Sequence, residues 1–230
     1  MKRLISRIEQ NKFALILSLH RNSVELACIA EEEGADAIEV HINDHSVDSC
    51  QSGSFELEET PLKEIASIVR MPVGIAIGDE RLLTPQEWES ILNLNFDFVD
   101  MYAHHMPSFV LKDDRISKML AIGSGYLLEQ VKTISESDHV DAIKAAIVPQ
   151  QGNSLPLNAL DLATLSIITR LSSKPVIMPT QRLLRPSDLS LIKSNGCRGV
   201  IITAVVTGTA SDTYRMAIRE FRQAIGDLEG

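Results

Sequence analysis

Paired cysteines are missing from this chain. Its three, Cys28, Cys50 and Cys197, are odd in number and widely spaced, with no CxxC pair. They read as reduced thiols in a cytosolic protein rather than as a disulfide framework. An excess of positive charge is missing as well. Twenty-two Lys and Arg stand against 31 Asp and Glu, for a formal charge of -9 and an isoelectric point near 5.2. Nucleic acid and anionic membrane, which recruit clustered Lys and Arg, are therefore not the expected partners. Long apolar runs are also lacking. The N-terminal stretch MKRLISRIEQNKFALILSLH starts basic, but Glu9, Gln10, Asn11 and Lys12 interrupt it before it reaches signal-peptide or membrane-spanning length. A short leading helix followed by a strand is expected there. Finally, no GxGxxG follows the first apolar run, which weighs against an open, doubly wound dinucleotide-binding sheet.

What the chain does have is a period. A short apolar run, a turn and an amphipathic helical stretch recur about eight times in 230 residues. The runs are Phe13 to His20, Ala37 to Asn43, Val73 to Asp79, Phe98 to Ala103, Met119 to Gly123, Ala142 to Val148, Pro175 to Thr180 and Gly199 to Val206. Strands alternating with helices in this way are built from βαβ units on a parallel sheet. Eight of them predict a closed (β/α)8 TIM barrel, a single α/β domain over residues 1–230, with little room for insertions. The apolar fraction of 44% and charged fraction of 23% suit a chain that buries one sizeable core.

Helix starts fix the register. Thr84, then Pro85, with Glu87 three residues after the cap, predicts a capping box and a helix over 85–94. Pro186 and Asp188 open another helix that ends at Asn195 and Gly196. Ser211 and Asp212 start the last, with Tyr214, Ala217, Ile218, Phe221, Ala224 and Ile225 on one face. The loop HSVDSCQSGS, residues 45–54, is longer than usual and is expected to cover a site.

In such a barrel the chemistry sits at the C-terminal ends of the strands. Polar residues gather there on strands 1 to 4: His20, Glu39, His41, Asn43, Asp44, His45, Asp79, Glu80, Arg81, Asp100, Tyr102, His104 and His105. Glu39 and His41 share a face because they are two apart, and a carboxylate facing the helix layer would be buried at a cost of several kcal/mol. The barrel interior is therefore their expected direction. Imidazole beside carboxylates suits acid–base chemistry near neutral pH or a divalent metal. Lys144, inside the apolar strand IKAAIV, is either a lumen-facing lysine suited to Schiff-base or general-base work or a strand-start lysine paired with Asp141. Glu39, His41, Asp79, His104 and Lys144 are the candidate catalytic residues, and His41, Asp79 and His104 the candidate ligands of a divalent metal.

The last two strands carry a second signal. Strand 7 ends in Thr180 and Gln181, followed by Arg182, and strand 8 runs into TGTAS at a helix start. Small residues at a helix N-terminus expose N–H groups and positive dipole to an anion, and the loops after strands 7 and 8 hold phosphate in many barrels. Thr180, Arg182, Thr207, Gly208 and Thr209 are the candidate phosphate-binding residues, although Gly208 also reads simply as a turn glycine.

The segment EEEGADAIEVHINDHSV resembles the second strand of ribulose-phosphate 3-epimerases. The stretch RPSDLSLIKSNGCRGVIITAVVTG is similar to the last two βα units of the wider ribulose-phosphate-binding barrels, including N-acetylmannosamine-6-phosphate epimerases and indole-glycerol-phosphate synthases. The resemblance implies a phosphorylated, sugar-like substrate. It departs at the matching strand-2 positions, where Glu39 and His41 replace His and Asp. The strand-7 aspartate is absent, with Met178, Pro179 and Thr180 in its place, and Gln181 and Arg182 replace the glycine pair. The expectation is thus an isomerase or lyase acting on a small phosphorylated metabolite by acid–base chemistry, in a cytoplasmic protein whose expected assembly is a homodimer. A divalent-metal hydrolase or aldolase and a non-catalytic binding barrel are the alternatives.

Overall fold

In a computed structural model, which describes residues 3–10, 13–44, 52–78, 81–149 and 155–229, eight parallel strands close on themselves in sequence order. They are β1 (Ala14–Ser18), β2 (Ala37–Ile42), β3 (Val73–Ile77), β4 (Phe98–Tyr102), β5 (Ser117–Gly123), β6 (Ala142–Ala146), β7 (Val176–Pro179) and β8 (Gly199–Ile202), and β1 pairs with β8 through Ile16 and Ile201. The helices are α1 (Arg3–Gln10), α2 (Val24–Glu32), α3 (Phe55–Ile68), α4 (Pro85–Leu92), α5 (Ser108–Leu111), α6 (Leu128–Ser135), α7 (Ala159–Leu171), α8 (Leu189–Ser194), α9 (Ala204–Thr207) and α10 (Ser211–Asp227). The chain is thus the (β/α)8 barrel its period predicts. Among the described residues no helix is long and apolar enough to cross a membrane.

Alternation along each strand splits the buried residues into two cores. Leu15, Leu17, Ile38, Val40, Ile75, Val99, Leu120, Ile143, Val176 and Val200 face the helices. Ala14, Ile16, Ala37, Phe98, Met119, Ala142, Ile177 and Ile201 fill the lower lumen, and Leu4 and Ile8 of α1 pack against them from below. The leading helix is therefore the floor of the barrel. Gly74 belongs to this arrangement, because a Cβ there would lie 2.1 Å from the Phe98 ring. The glycine lets that ring spread across the lumen.

The caps appear where the sequence puts them. Thr84 Oγ1 accepts from Glu87 N–H at 3.2 Å while Glu87 Oε2 accepts from Thr84 N–H at 3.1 Å. The helix they start closes at Leu92, with Asn93 as C-cap. Pro186 opens a single 3-10 turn, Pro186–Asp188, before α8, and Gly196 ends that helix with φ +93. Several boundaries differ from expectation, those of strands 5 and 8 among them. Strand 5 starts two residues early, at Ser117, and strand 8 stops at Ile202 because Thr203 caps a helical turn, its Oγ1 accepting from Val205 N–H at 3.4 Å. Val205 and Val206 are helical despite their β-branched side chains. A local cap outweighs strand propensity there.

Candidate active site in the upper lumen

Above the apolar floor the lumen turns polar on alternate strands. Glu39 of β2, Asp100 of β4 and Lys144 of β6 point inward and meet, although none of these strands is hydrogen-bonded to another. Side chains from non-adjacent strands can touch only across the lumen. Lys144 Nζ donates to Asp100 Oδ2 and stands 3.6 Å from Glu39 Oε2. Lys144 therefore faces the interior, and its partner is Asp100. Asp141 instead accepts from the Lys118 N–H at 2.9 Å.

Burial within the trio is uneven. The Glu39 side chain is 0% exposed and that of Asp100 3%, whereas Lys144 retains 17%. Both Glu39 oxygens and Asp100 Oδ1 are buried without a hydrogen-bond partner. Groups of this kind are few in a folded protein and each needs a reason. Burial raises the Glu39 carboxyl to about 8; Lys144 opposes the rise and Asp100 adds to it. Burial alone would lower the Lys144 ammonium, but Asp100 and then Glu39 outweigh it and hold it above the usual lysine range. Glu39 is thus a group that exchanges a proton near neutral pH beside a fixed cation. The next lumen-facing positions toward the mouth are small, Ala76, Ala121 and Ala146, each no more than 8% exposed.

Beside the trio lies a chain of three residues. Ser18 Oγ is 2.8 Å from His41 Nε2, and His41 Nδ1 is 3.6 Å from Asp44 Oδ2. Backbone geometry sets this up. Asn22 clamps the His41 peptide, accepting its N–H at 2.9 Å and donating to its carbonyl at 2.7 Å, and also donates to Glu58 of α3. Asn43 then takes a left-handed turn, φ 54, of a kind that asparagine tolerates. That turn brings Asp44 back toward His41.

His104 lies at the rim. It is exposed, its Nδ1 is bonded to Tyr126 Oη, and its ring contacts those of Tyr102 and His105. Asp79, His45 and most of the loop after β2 lie outside the described residues. Among the described residues there is no group of three His, Cys, Asp or Glu that could hold a metal ion.

The opposite wall comes from β7 and β8. Thr180 is buried, and its Oγ1 accepts from Thr203 N–H at 2.8 Å, tying the two strand ends together. Gln181 clasps β6 in the manner of a strand, its side chain accepting from Val148 N–H and donating to Val148 O, both at 3.0 Å. Arg182 is buried in a two-point pair with Asp161 of α7, Nε to Oδ2 at 2.7 Å and Nη2 to Oδ1 at 2.9 Å. Its fork braces the β7 loop instead of presenting itself to a ligand. Thr207 is buried and donates to Gly208 O at 2.9 Å. Gly208 adopts φ 66, ψ −167, a region essentially reserved for glycine. Gly208 and Thr209 are exposed at the turn that leads into α10. Of the five candidate phosphate residues, then, Thr180, Arg182 and Thr207 shape the wall, and Gly208 and Thr209 form its accessible face.

Three participants fall outside the candidate set, although Asp100 is among the polar residues at the strand ends. Asp100 stands out only once β4 is placed opposite β6, Ser18 only once β1 and β2 are in register, and Asp161 only as the N3 residue of the Asn158 capping box.

No family model and no curated protein matches this chain. Solved structures do. Thiamine phosphate pyrophosphorylase from Pyrococcus furiosus aligns with a TM-score of 0.66 at 20% identity, over 96% of this chain and 100% of its own. Tryptophan synthase from M. tuberculosis gives 0.70 at 15%, over 97% and 98%. Phosphoribosyl anthranilate isomerase from Thermus thermophilus gives 0.67 at 13%, over 94% and 100%. At these identities the likeness is one of fold.

Proposed function

We propose that this chain is an isomerase or lyase that acts on a small phosphorylated, sugar-like carbonyl compound by acid–base chemistry in the upper lumen. The observation that carries the reading is the Glu39–Lys144–Asp100 trio, which puts a proton-exchanging carboxyl and a cation side by side in the upper lumen. A group that titrates near the working pH is the efficient proton carrier. Glu39 removes a proton from the carbon next to the carbonyl and returns it. Lys144, the cation beside it, stabilises the negative charge that develops as that proton leaves, in a site walled by apolar side chains where such charge is strongly felt. His41, oriented by Ser18 and Asp44, moves the second proton. Asp79, together with His104 at the rim, completes the acid–base set.

The phosphate rests against Gly208 and Thr209, with the first N–H groups of α10 directed at it. Thr207 bonds that turn directly, Thr180 ties the end of β8 to β7, and Arg182 braces the loop after β7. Three neighbours in fold whose names carry a phosphate or phosphoribosyl group, or a synthase activity, support a role of this kind. The test is proton exchange. A panel of aldose and ketose phosphates is incubated with the protein in D2O and followed by proton NMR. Wild-type protein should wash deuterium into the carbon next to the carbonyl of one compound, and Glu39→Gln should lose this by at least 100-fold. Tight binding with no exchange, or full exchange by the variant, would overturn the reading.

A further inference from the structure

We infer that Lys144 is a covalent centre, and that its amine condenses with an aldehyde or ketone carbonyl of the substrate to form an imine. The inference rests on the carbonyl substrate proposed above and adds the bond through which the protein holds it.

Three observations converge. Lys144 is the accessible member of the trio, at 17% side-chain exposure against 0% for Glu39 and 3% for Asp100. Toward the mouth, the lumen-facing positions of β3, β5 and β6 carry only the small side chains of Ala76, Ala121 and Ala146, with Tyr102 of β4 close enough to act on the amine. Around it, both oxygens of Glu39 and Oδ1 of Asp100 are buried without a hydrogen-bond partner, so proton donors and acceptors stand ready beside the amine.

The chemistry balances without an external reactant. The ammonium and the carbonyl give an iminium and one water, with the positive charge on nitrogen before and after. Lys144 passes one proton to Glu39. The free amine attacks the carbonyl carbon to form a C–N bond, and the carbonyl oxygen becomes a hydroxyl. Glu39 returns its proton to that hydroxyl, which leaves as water while the nitrogen lone pair closes the C=N bond. Because charge is conserved on the nitrogen, the carboxylates that stabilise the ammonium stabilise the iminium as well. Their field, which holds Lys144 protonated at rest, is compatible with its use as a nucleophile once a neighbouring base takes the proton. The iminium then withdraws electrons from the adjacent carbon, which is what an isomerase or lyase requires.

Reductive trapping tests this on the wild-type chain. The protein is incubated with glyceraldehyde 3-phosphate or dihydroxyacetone phosphate, and in parallel with glyceraldehyde or dihydroxyacetone, in the presence of sodium cyanoborohydride, which reduces an imine to a stable amine. Peptide mapping by mass spectrometry then locates the adduct, and thermal stability is read on matched samples without reductant. The expected result is labelling of Lys144 at least tenfold above the other lysines, abolished when the protein is unfolded in urea and slowed in Glu39→Gln. If Lys144 is labelled equally by phosphorylated and unphosphorylated compounds, the covalent centre stands and the phosphate assignment falls. If the phosphorylated compounds stabilise the chain but leave Lys144 unlabelled, the phosphate assignment stands and the covalent centre is overturned. Failure of every compound to label Lys144 above the other lysines overturns it too.

Discussion

Replacing Lys144 by methionine keeps the length of the side chain and removes its charge from between Asp100 and Glu39. The two carboxyls are 3% and 0% exposed, so water cannot replace the lost partner. Breaking a buried pair by removing one member typically costs about 3–5 kcal/mol. In a chain of this size each kcal/mol moves the melting temperature by about 2–4 °C, so a fall of roughly 6–20 °C is expected. The pH dependence is the sharper part. Lys144 opposes the rise of the Glu39 carboxyl, which already stands at about 8 against an ordinary 4.5; in the variant it goes higher. A raised folded-state value means that the folded protein binds the extra proton. The associated stability is fully present below about 4.5 and disappears as pH climbs through 8 and beyond. The deficit of Lys144→Met should therefore be smaller near pH 5 than near pH 9. Urea unfolding followed by circular dichroism at both values measures it. A deficit under about 1 kcal/mol, or one equal at both pH values, would refute the idea of a coupled buried trio.

Glu39→Gln removes the same titration without removing the cation. Wild-type stability should fall by on the order of a few kcal/mol between about pH 5 and pH 8 through this residue, and the variant's profile should be flatter; a steeper profile would contradict the assignment. Asp161→Ala takes the two-point carboxylate away from the buried Arg182 guanidinium and should cost about 3 kcal/mol or more by the same unfolding measurement. Gly208→Ala forces a β-carbon into a glycine-only region, 3.2 Å from Thr213 Oγ1. It should cost about 1–3 kcal/mol and weaken binding of a phosphorylated ligand at least tenfold, as isothermal calorimetry would report.

The barrel itself was legible because both of its periods are written in the chain. Apolar runs such as Ala37–Ile42 and Val73–Ile77 have the length of strands, and Thr84, Pro85 and Glu87 state where a helix begins. The inward direction of Glu39 followed from the cost of burying a carboxylate against the helix layer, and its meeting with Lys144 and Asp100 across the lumen bears this out. The partners were less legible because they depend on closure. Asp100 is 44 residues from Lys144 and Ser18 is 23 from His41, distances that only strand order and register convert into contact. Arg182 misleads for a related reason: its place after strand 7 suggests a ligand, whereas a carboxylate 21 residues upstream already occupies its fork. At Val205 and Val206 β-propensity loses to the Thr203 cap.

The most direct measurement is a thermal titration of the chain with a panel of sugar phosphates and their unphosphorylated parents, with EDTA present. At one hundred times its dissociation constant a ligand adds roughly 2.7 kcal/mol, or about 5–11 °C here. A rise of that size with one phosphorylated compound, absent with its parent and diminished in Gly208→Ala, is what a phosphate-anchored site above the Glu39–Lys144–Asp100 trio predicts. No rise across the panel, or an equal rise with the unphosphorylated parent, would contradict it.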